Sequence, residues 1–322
     1  MTDPANSEFD TIIVGAGPAG LCAAMYAGRG MLRALTLESR VPGGELLNTE
    51  KIEDYPGFES ILGRELAERM ASHARKFGAE IRQMTVEGIQ RLPDGSFEVR
   101  TVEGERFHAP TVILTAGGTP TKLGVPGEVE YAGFGVSYCA VCDGAFFRGQ
   151  TIAVVGGGDA AVEEADYLTR YAEKVYLIHR RNQLRASRLL QERLFANPKI
   201  EVLWNRQVLS IEGREHAGLR DVTGLSLEDT VTGQRSSLPV SGCFVFIGFR
   251  PNTGLIQEHF AHDPGGYIVT DDRMMTSIPG LFAAGDLRAQ LTRQVTTAVG
   301  DATTAAIAVE KFLTERRSKV GV

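Results

Sequence analysis

Cys139 and Cys142 form a C-x-x-C inside YCAVCDGAFF, with Asp143 directly after the second sulfur and a glycine-rich turn about 14 residues on. Two sulfurs at this spacing can supply half of a zinc site, cycle between dithiol and disulfide, or fill space as small apolar side chains. A zinc site needs four clustered ligands. The other cysteines, Cys22 and Cys243, stand alone in apolar segments where core burial is expected, and no histidine lies within 30 residues of Cys142. No metal site is therefore expected. Asp143 and Gly144 are poor core material, which argues against inert packing of the pair. Reversible disulfide chemistry fits better: a thiolate opens a disulfide through a mixed-disulfide intermediate, and Asp143 is placed to take or give the proton. Asp143 equally suits an N-cap or a turn, and the two roles are compatible.

Such chemistry needs elements to position it, and two similar units flank the pair. In TIIVGAGPAGLCAAMYAGRGMLRALTLES, Ile12 to Val14 read as a buried strand, Gly15-x-Gly17-x-x-Gly20 as a tight turn, and Leu21 to about Gly28 as a helix. A second strand, about Ala34 to Glu38, ends in an acid. This is a dinucleotide fingerprint: Gly15 turns the chain, Gly17 admits a pyrophosphate, Gly20 packs helix on strand, and Glu38 can take a ribose hydroxyl. The design returns with a strand at Thr151–Val155, Gly156-x-Gly158-x-x-Ala161, a helix to about Arg170 and a strand at Lys174–Ile178. Gly15 to Glu38 spans 23 positions, and so does Gly156 to His179. The acid is thus replaced by His179, followed by Arg180, Arg181 and Arg185. A carboxylate repels a 2′-phosphate, whereas guanidinium groups bind one bidentately. The first unit suits FAD or NAD, and the second NADPH.

Composition narrows the setting. With 322 residues the chain can hold two domains, and 43% apolar with 23% charged residues is the balance of a folded soluble protein. A net charge of −6 leaves no general basic surface, so nucleic acid is not an expected partner. No apolar run approaches membrane-spanning length, and MTDPANSEFD lacks the pattern of a signal peptide. The cytoplasm is the expected compartment, where a C-x-x-C is catalytic or metal-binding more often than structural.

Between the units, Ile81 to Arg100 suggest β-structure about a Pro93-Asp94-Gly95 turn, and Thr111 to Pro120 an apolar strand with a Gly/Pro exit. Val202 to Thr230 suggest short strands, Gly242 to Asn252 mirror the earlier strand and exit, and a strand at Gly280–Ala284 precedes a helix from about Gln294 to Leu313. The expected fold is α/β: two Rossmann-like three-layer dinucleotide-binding domains, the one suited to NADPH (119–247) inserted into the one suited to FAD or NAD (1–118 and 248–322). GGTPTKLGVPG and GFRPN would form a double hinge.

Over nearly its whole length the chain resembles the low-molecular-weight thioredoxin reductases. The motifs that carry the resemblance are GAGPAG (15–20), PGGELLNTE (42–50), YPGF (55–58), TAGG (115–118), YCAVCDGAFF (138–147), GGGDAAVEEA (156–165), HRR (179–181), FAAGD (282–286) and RQ (293–294). C-x-x-C-D-G just before the second fingerprint is the most specific of them. The resemblance implies FAD on the first unit, held also by Pro18, Ala19, Gly43, Gly44, Glu45, Asn48 and Asp54. Thr115, Ala116, Gly117 and Gly285 would join them, with Asp286 on the ribityl chain and Arg293 and Gln294 near flavin or nicotinamide. It implies NADPH on the second unit, with Asp159 and Ala160 completing its turn. Cys142 would face the flavin, Cys139 would attack the protein disulfide, and Asp143 would manage the proton. Thioredoxin as substrate, a homodimer, and rotation of the inner domain between half-reactions are implied as well. The pattern is broken at Glu45, where the family has Gly-Gly-Gln, and at Asp54, where Asn is common; both changes bear on flavin potential and proton uptake. A relative with another acceptor (a peroxiredoxin-type partner or a ferredoxin-driven form) and a non-catalytic redox sensor are the competing readings.

Overall fold

The computed structural model describes residues 9–49, 51–216 and 219–320; the start of MTDPANSEFD and Glu50 of PGGELLNTE lie outside them. The chain divides into two compact units, one drawn from Met1–Thr119 and Arg250–Val322, the other Pro120–Phe249. The first is built on a five-stranded sheet ordered Leu281–Ala283, Val112–Leu114, Thr11–Val14, Ala34–Glu38, Glu80–Gln83. All four pairings are parallel. Its central strands, TIIV and VIL, are buried throughout, as expected of a sheet covered on both faces. One face packs helix Pro18–Arg29 beside helix Val295–Val320, and the seam between them is alanine: Ala23 and Ala24 meet Ala298, Ala302, Ala305 and Ala306 in a single cluster. Small side chains let the two helices approach closely without a void. The other face is closed by an antiparallel sheet of Val86–Arg91, Phe97–Thr101 and Arg106–Ala109, whose Phe97, Val99 and Phe107 fill the core there.

The second unit repeats the plan. Its parallel sheet runs Val136–Ser137, Gly242–Phe246, Thr151–Gly156, Lys174–His179, Ile200–Trp204. Helix Asp159–Leu168 covers one face. A three-stranded antiparallel sheet, Arg206–His216, Leu219–Asp229 and Arg235–Pro239, supplies Val208, Ile211, Val222, Leu225 and Leu227 to the core on the other. Strand for strand, the two-residue strand Val136–Ser137 holds the edge position that Leu281–Ala283 holds in the first unit.

Several elements differ from the sequence expectation in extent. The first helix begins at Pro18 rather than Leu21, because Gly17 takes the N-cap and Pro18 brings a φ already suited to the first turn. Thr111–Pro120 breaks into Val112–Leu114 and Gly118–Pro120, since the chain leaves the ladder at Gly117, whose φ is +56°. The last helix runs on to Val320 through residues with no breaker, and the guanidinium of Arg316 donates to the Asp94 carbonyl (2.7 Å) while that of Arg317 donates to Asp10 (3.2 Å). The two connecting segments, Gly118–Pro120 and Phe249–Pro251, run side by side as a two-stranded ribbon.

Candidate functional site

In both sheets the chemistry-bearing residues sit at the carboxyl ends of parallel strands, the edge at which open α/β sheets bind ligands. In the first unit Gly15 has φ +101°, and a Cβ there would lie 2.6 Å from the Thr115 carbonyl oxygen. At Gly20 a Cβ would fall 1.8 Å from the Gly15 carbonyl oxygen, so neither glycine is replaceable. The Thr115 hydroxyl donates to the Val14 and Gly15 carbonyls at 2.9 Å each, fixing the turn. Gly43 donates its amide to the Ala16 carbonyl (2.8 Å), and the Gly44 backbone packs on Gly17, which straps the Gly44–Asn48 helical turn to the glycine loop. Glu38 ends its strand as expected, and it also accepts the amides of Ala16 (2.7 Å) and Arg40 (3.0 Å). A cleft of about 330 Å³ opens there, lined by Gly15, Glu38, Ser39, Met84, Ala116 and Asn252 among others. Asn252 was not singled out from the sequence. Its side-chain amide donates to the Ala116 carbonyl (2.8 Å) and its backbone amide to Gly117 (3.0 Å), and its only sequence signal is the end of GFRPN.

Beyond the last strand, the Arg293 guanidinium donates to the Asp286 carbonyl (3.2 Å) and lies 3.8 Å over the Tyr267 ring, a cation–π contact the sequence did not announce. Burial pushes the Asp286 carboxyl above its usual range, Glu45 and Asp301 push the same way, and Arg293 opposes them. Glu45 is also raised, by the protein crowded about it, against a hydrogen bond from Asn48 (3.1 Å) and the pull of Arg40. Behind them Asp301 accepts the Gly285 amide (3.1 Å) and pairs with Arg288 at 2.7 Å. Gln294 donates its amide to the Thr297 hydroxyl (3.1 Å) at the head of the last helix, and Asp54 lies exposed in the loop between Ile52 and Ile61. A strained glycine loop, the Glu38 carboxylate and a cleft against them fit the phosphates and ribose of a dinucleotide such as FAD.

In the second unit a Cβ at Gly156 would meet the Phe246 carbonyl oxygen at 2.4 Å, and one at Gly157 would strike the His179 ring at 2.3 Å. Gly158 is different: nothing in the chain lies within 4 Å of where its Cβ would stand. The room is not consumed by the protein's own packing, as a phosphate cradle requires. Asp159 opens the helix behind it and accepts the Ser187 amide (2.7 Å), with Ala160 exposed beside it and Ala161 buried under Gly156. His179 is placed as a brace. The residue is 8% exposed, with Nδ1 2.8 Å from the Gly156 carbonyl and Nε2 2.9 Å from that of Gln183. Arg180, Arg181 and Arg185 are exposed beside it, and the Arg185 amide donates to the Gly157 carbonyl (2.7 Å). Three guanidinium groups at the end of this strand fit a nucleotide 2′-phosphate.

Cys139 and Cys142 form a disulfide with Cα atoms 5.3 Å apart. The pair follows directly on Val136–Ser137, so it holds in this unit the place that Gly285 and Asp286 hold in the first. Ser137 anchors the approach: its hydroxyl accepts the Cys139 amide (3.0 Å) and donates to the Cys139 carbonyl (3.1 Å). The Cys142 amide donates to Cys139 Sγ at 3.1 Å, a bond that favours negative charge on that sulfur once the pair is reduced. Cys139 is half-buried and Cys142 exposed. Asp143 lines a groove of about 990 Å³ with Phe134, Phe146, Phe147, Arg220 and Ser241. Cys22 and Cys243 are buried thiols, both pushed up by burial, Cys243 to about 12. Among the described residues no cluster could hold a metal ion, and no helix is long and apolar enough to cross a membrane.

The chain matches the pyridine nucleotide-disulphide oxidoreductase family over residues 9–302. It is 47% identical to the thioredoxin reductase of Bacillus subtilis (strain 168), over 95% of each chain. Its fold matches the crystal structure of Lactococcus lactis thioredoxin reductase in the FR conformation with a TM-score of 0.91 at 42% identity, covering 96% of this chain and 100% of that one. Thioredoxin reductase of T. acidophilum matches with a TM-score of 0.87 at 35% identity, covering 94% and 98%. The doubled sheet, the paired glycine turns and the C-x-x-C disulfide thus have their place: the chain belongs to the pyridine nucleotide-disulphide oxidoreductases, as a member of the thioredoxin reductase family.

Proposed function

We propose that this protein reduces the disulfide of oxidised thioredoxin at the expense of NADPH, with FAD held by the first unit. The observation that carries the reading is the Cys139–Cys142 disulfide at the carboxyl edge of the same sheet in which the strand Lys174–His179 leads into Arg180 and Arg181. Bound NADPH and FAD supply hydride and two-electron chemistry that the side chains lack. The chain's own part is thiol–disulfide exchange. With the pair reduced, the Cys139 thiolate attacks one sulfur of the partner's disulfide, forming a mixed disulfide and expelling the other sulfur as a thiolate, which takes a proton. The Cys142 thiolate then displaces the partner and restores the Cys139–Cys142 bond. Asp143, next in the chain, is the group assigned to hold that proton. The cytoplasm as compartment and a homodimer as working form belong to the same proposal, supported by the family resemblance. The test is anaerobic: NADPH should bleach the bound flavin and oxidised thioredoxin should restore it, whereas bleaching with no recovery would reject thioredoxin as the acceptor.

The protein substrate needs a surface, and the groove beside Asp143 offers one. Phe146, three positions beyond Asp143, is 76% exposed on its rim. An aromatic side chain held in water beside a reactive pair is the kind of anchor a protein partner covers. Phe146→Ser is expected to raise KM for thioredoxin about tenfold, the usual scale for losing one interface anchor, while a small disulfide is reduced at the parent rate. Equal KM values for thioredoxin would place the docking surface elsewhere.

The nicotinamide and the Cys139–Cys142 pair are carried by one unit, and both must serve the same cofactor on the other. The reading therefore includes rotation of the second unit between half-reactions, supported by the paired linkers with glycines of positive φ at Gly117 and Gly248. A disulfide engineered between the units is expected to permit at most one turnover, with multiple turnover returning on its reduction. Multiple turnover with the crosslink intact would exclude the rotation.

A further inference from the structure

Glu128 is 1% exposed, and its carboxylate accepts three hydrogen bonds. Oε1 takes the Leu123 amide (2.8 Å) and the Tyr138 hydroxyl (2.8 Å), and Oε2 takes the Gly124 amide (2.7 Å). A carboxylate this buried is tolerated because its oxygens are filled by donors. The donors come from two places. Leu123 and Gly124 lie in the segment that leads out of the linker, and that segment is pinned further on, where Ile211 donates its amide to the Pro126 carbonyl (2.9 Å). Gly127 fits against the Ile211 carbonyl so closely that a Cβ would lie 2.0 Å from its oxygen. Tyr138 immediately precedes Cys139. Burial, then the hydrogen bond to Glu128, hold its phenol well above its usual range, so it remains a donor.

We propose that Glu128 is a positioning residue for the redox pair, holding the Cys139 segment through the Tyr138 hydroxyl and the end of the linker through the Leu123 and Gly124 amides, so that the two move as one piece. Glu128 touches neither sulfur. Its effect is geometric: thiol–disulfide exchange depends on access to the attacking sulfur, and small misplacements of a reacting group are costly. The clamp also sets where bending ends, because everything from Leu123 onward is tied to the body that carries the cysteines. The consequence for turnover rests on the function proposed above; the consequence for Cys139 itself does not.

Tyr138→Phe removes one hydroxyl and leaves the ring. In dithiothreitol-reduced, FAD-loaded protein, alkylation of Cys139 by iodoacetamide, followed by mass spectrometry, is expected to speed up threefold or more as the half-buried sulfur loses its fixed seat. Thioredoxin turnover per bound flavin is expected to fall about tenfold, the scale of one lost hydrogen bond to a charged acceptor, while flavin bleaching by NADPH keeps its rate. Glu128→Gln leaves one acceptor oxygen for three donors and should act in the same direction, with the double variant no worse than Glu128→Gln alone. An alkylation rate unchanged in Tyr138→Phe, whatever its melting temperature, would overturn the proposal, and so would additive effects in the double variant. If Glu128→Gln fails to fold, Tyr138→Phe decides alone. A parent that alkylates normally but never reduces thioredoxin would sink the functional reading and leave this test standing.

Discussion

Cys142→Ser is expected to abolish reduction of thioredoxin, by roughly 10³-fold or more, while NADPH bleaches the bound flavin at close to the parent rate. Serine is nearly isosteric, and residue 142 is exposed, so the fold has no reason to change. The chemistry does change, because an oxygen cannot take the place of the sulfur that closes the Cys139–Cys142 bond. Cys139 survives in this variant and can still attack the partner's disulfide, but nothing then displaces the partner. A covalent adduct of the two proteins should therefore accumulate with Cys142→Ser and be absent with Cys139→Ser, read directly by intact-protein mass. An adduct formed only by Cys139→Ser would exchange the two roles. Sustained thioredoxin turnover in Cys142→Ser would remove this pair from the pathway altogether.

The parts of the fold that could be read in the sequence are those whose cause is local. Gly15, Gly20 and Gly156 are forced by contacts within the turn or between adjacent strands, so the motif announces itself wherever a strand precedes it and a helix follows. Ile12–Val14 and Val175–Ile178 are continuous apolar runs, so the strands expected at Ile12–Val14 and Lys174–Ile178 could be read from them. The edge strand Val136–Ser137 was not legible, because two residues carry no period; yet it puts Cys139 at the sheet's carboxyl edge. The equivalence of that place with Gly285–Asp286 follows from strand order alone and appears only when the sheets are laid out.

Residues whose role lies in their hydrogen-bond partners were the other loss. Asn252 closes the first unit's cleft by bonding Ala116, 136 positions away, and no spacing rule joins the two. Glu128 looks like any charged residue after a Gly/Pro turn, although it is buried under three donors. His179 was legible as a residue in the right place and not in its orientation: position 23 of the unit points to the ribose, whereas its ring faces two backbone carbonyls.

That orientation divides the basic cluster into two kinds of residue and makes the last prediction specific. Arg180, Arg181 and Arg185 are exposed, and among the described residues no carboxylate pairs with them, so they remain available to a 2′-phosphate. Two charge-assisted contacts of about 1.5–3 kcal/mol each amount to a preference for NADPH over NADH of roughly a hundred- to ten-thousandfold. Solvent and salt screen exposed groups, which favours the lower end of that range and predicts that the preference narrows as ionic strength rises. Arg180→Ala with Arg181→Ala should lower kcat/KM for NADPH by about the same factor and leave kcat/KM for NADH nearly unchanged, because NADH offers those groups nothing to bind. His179→Ala should behave differently. Its ring fills the space against Gly157 and sits between the carbonyls of Gly156 and Gln183, so its loss loosens the turn that either nucleotide uses. Both coenzymes should then suffer in similar proportion, with the ratio of their kcat/KM values preserved within a few-fold. A His179→Ala variant that lost NADPH alone would make the imidazole a phosphate ligand, and an arginine pair whose removal weakened both coenzymes equally would make those two residues part of the scaffold.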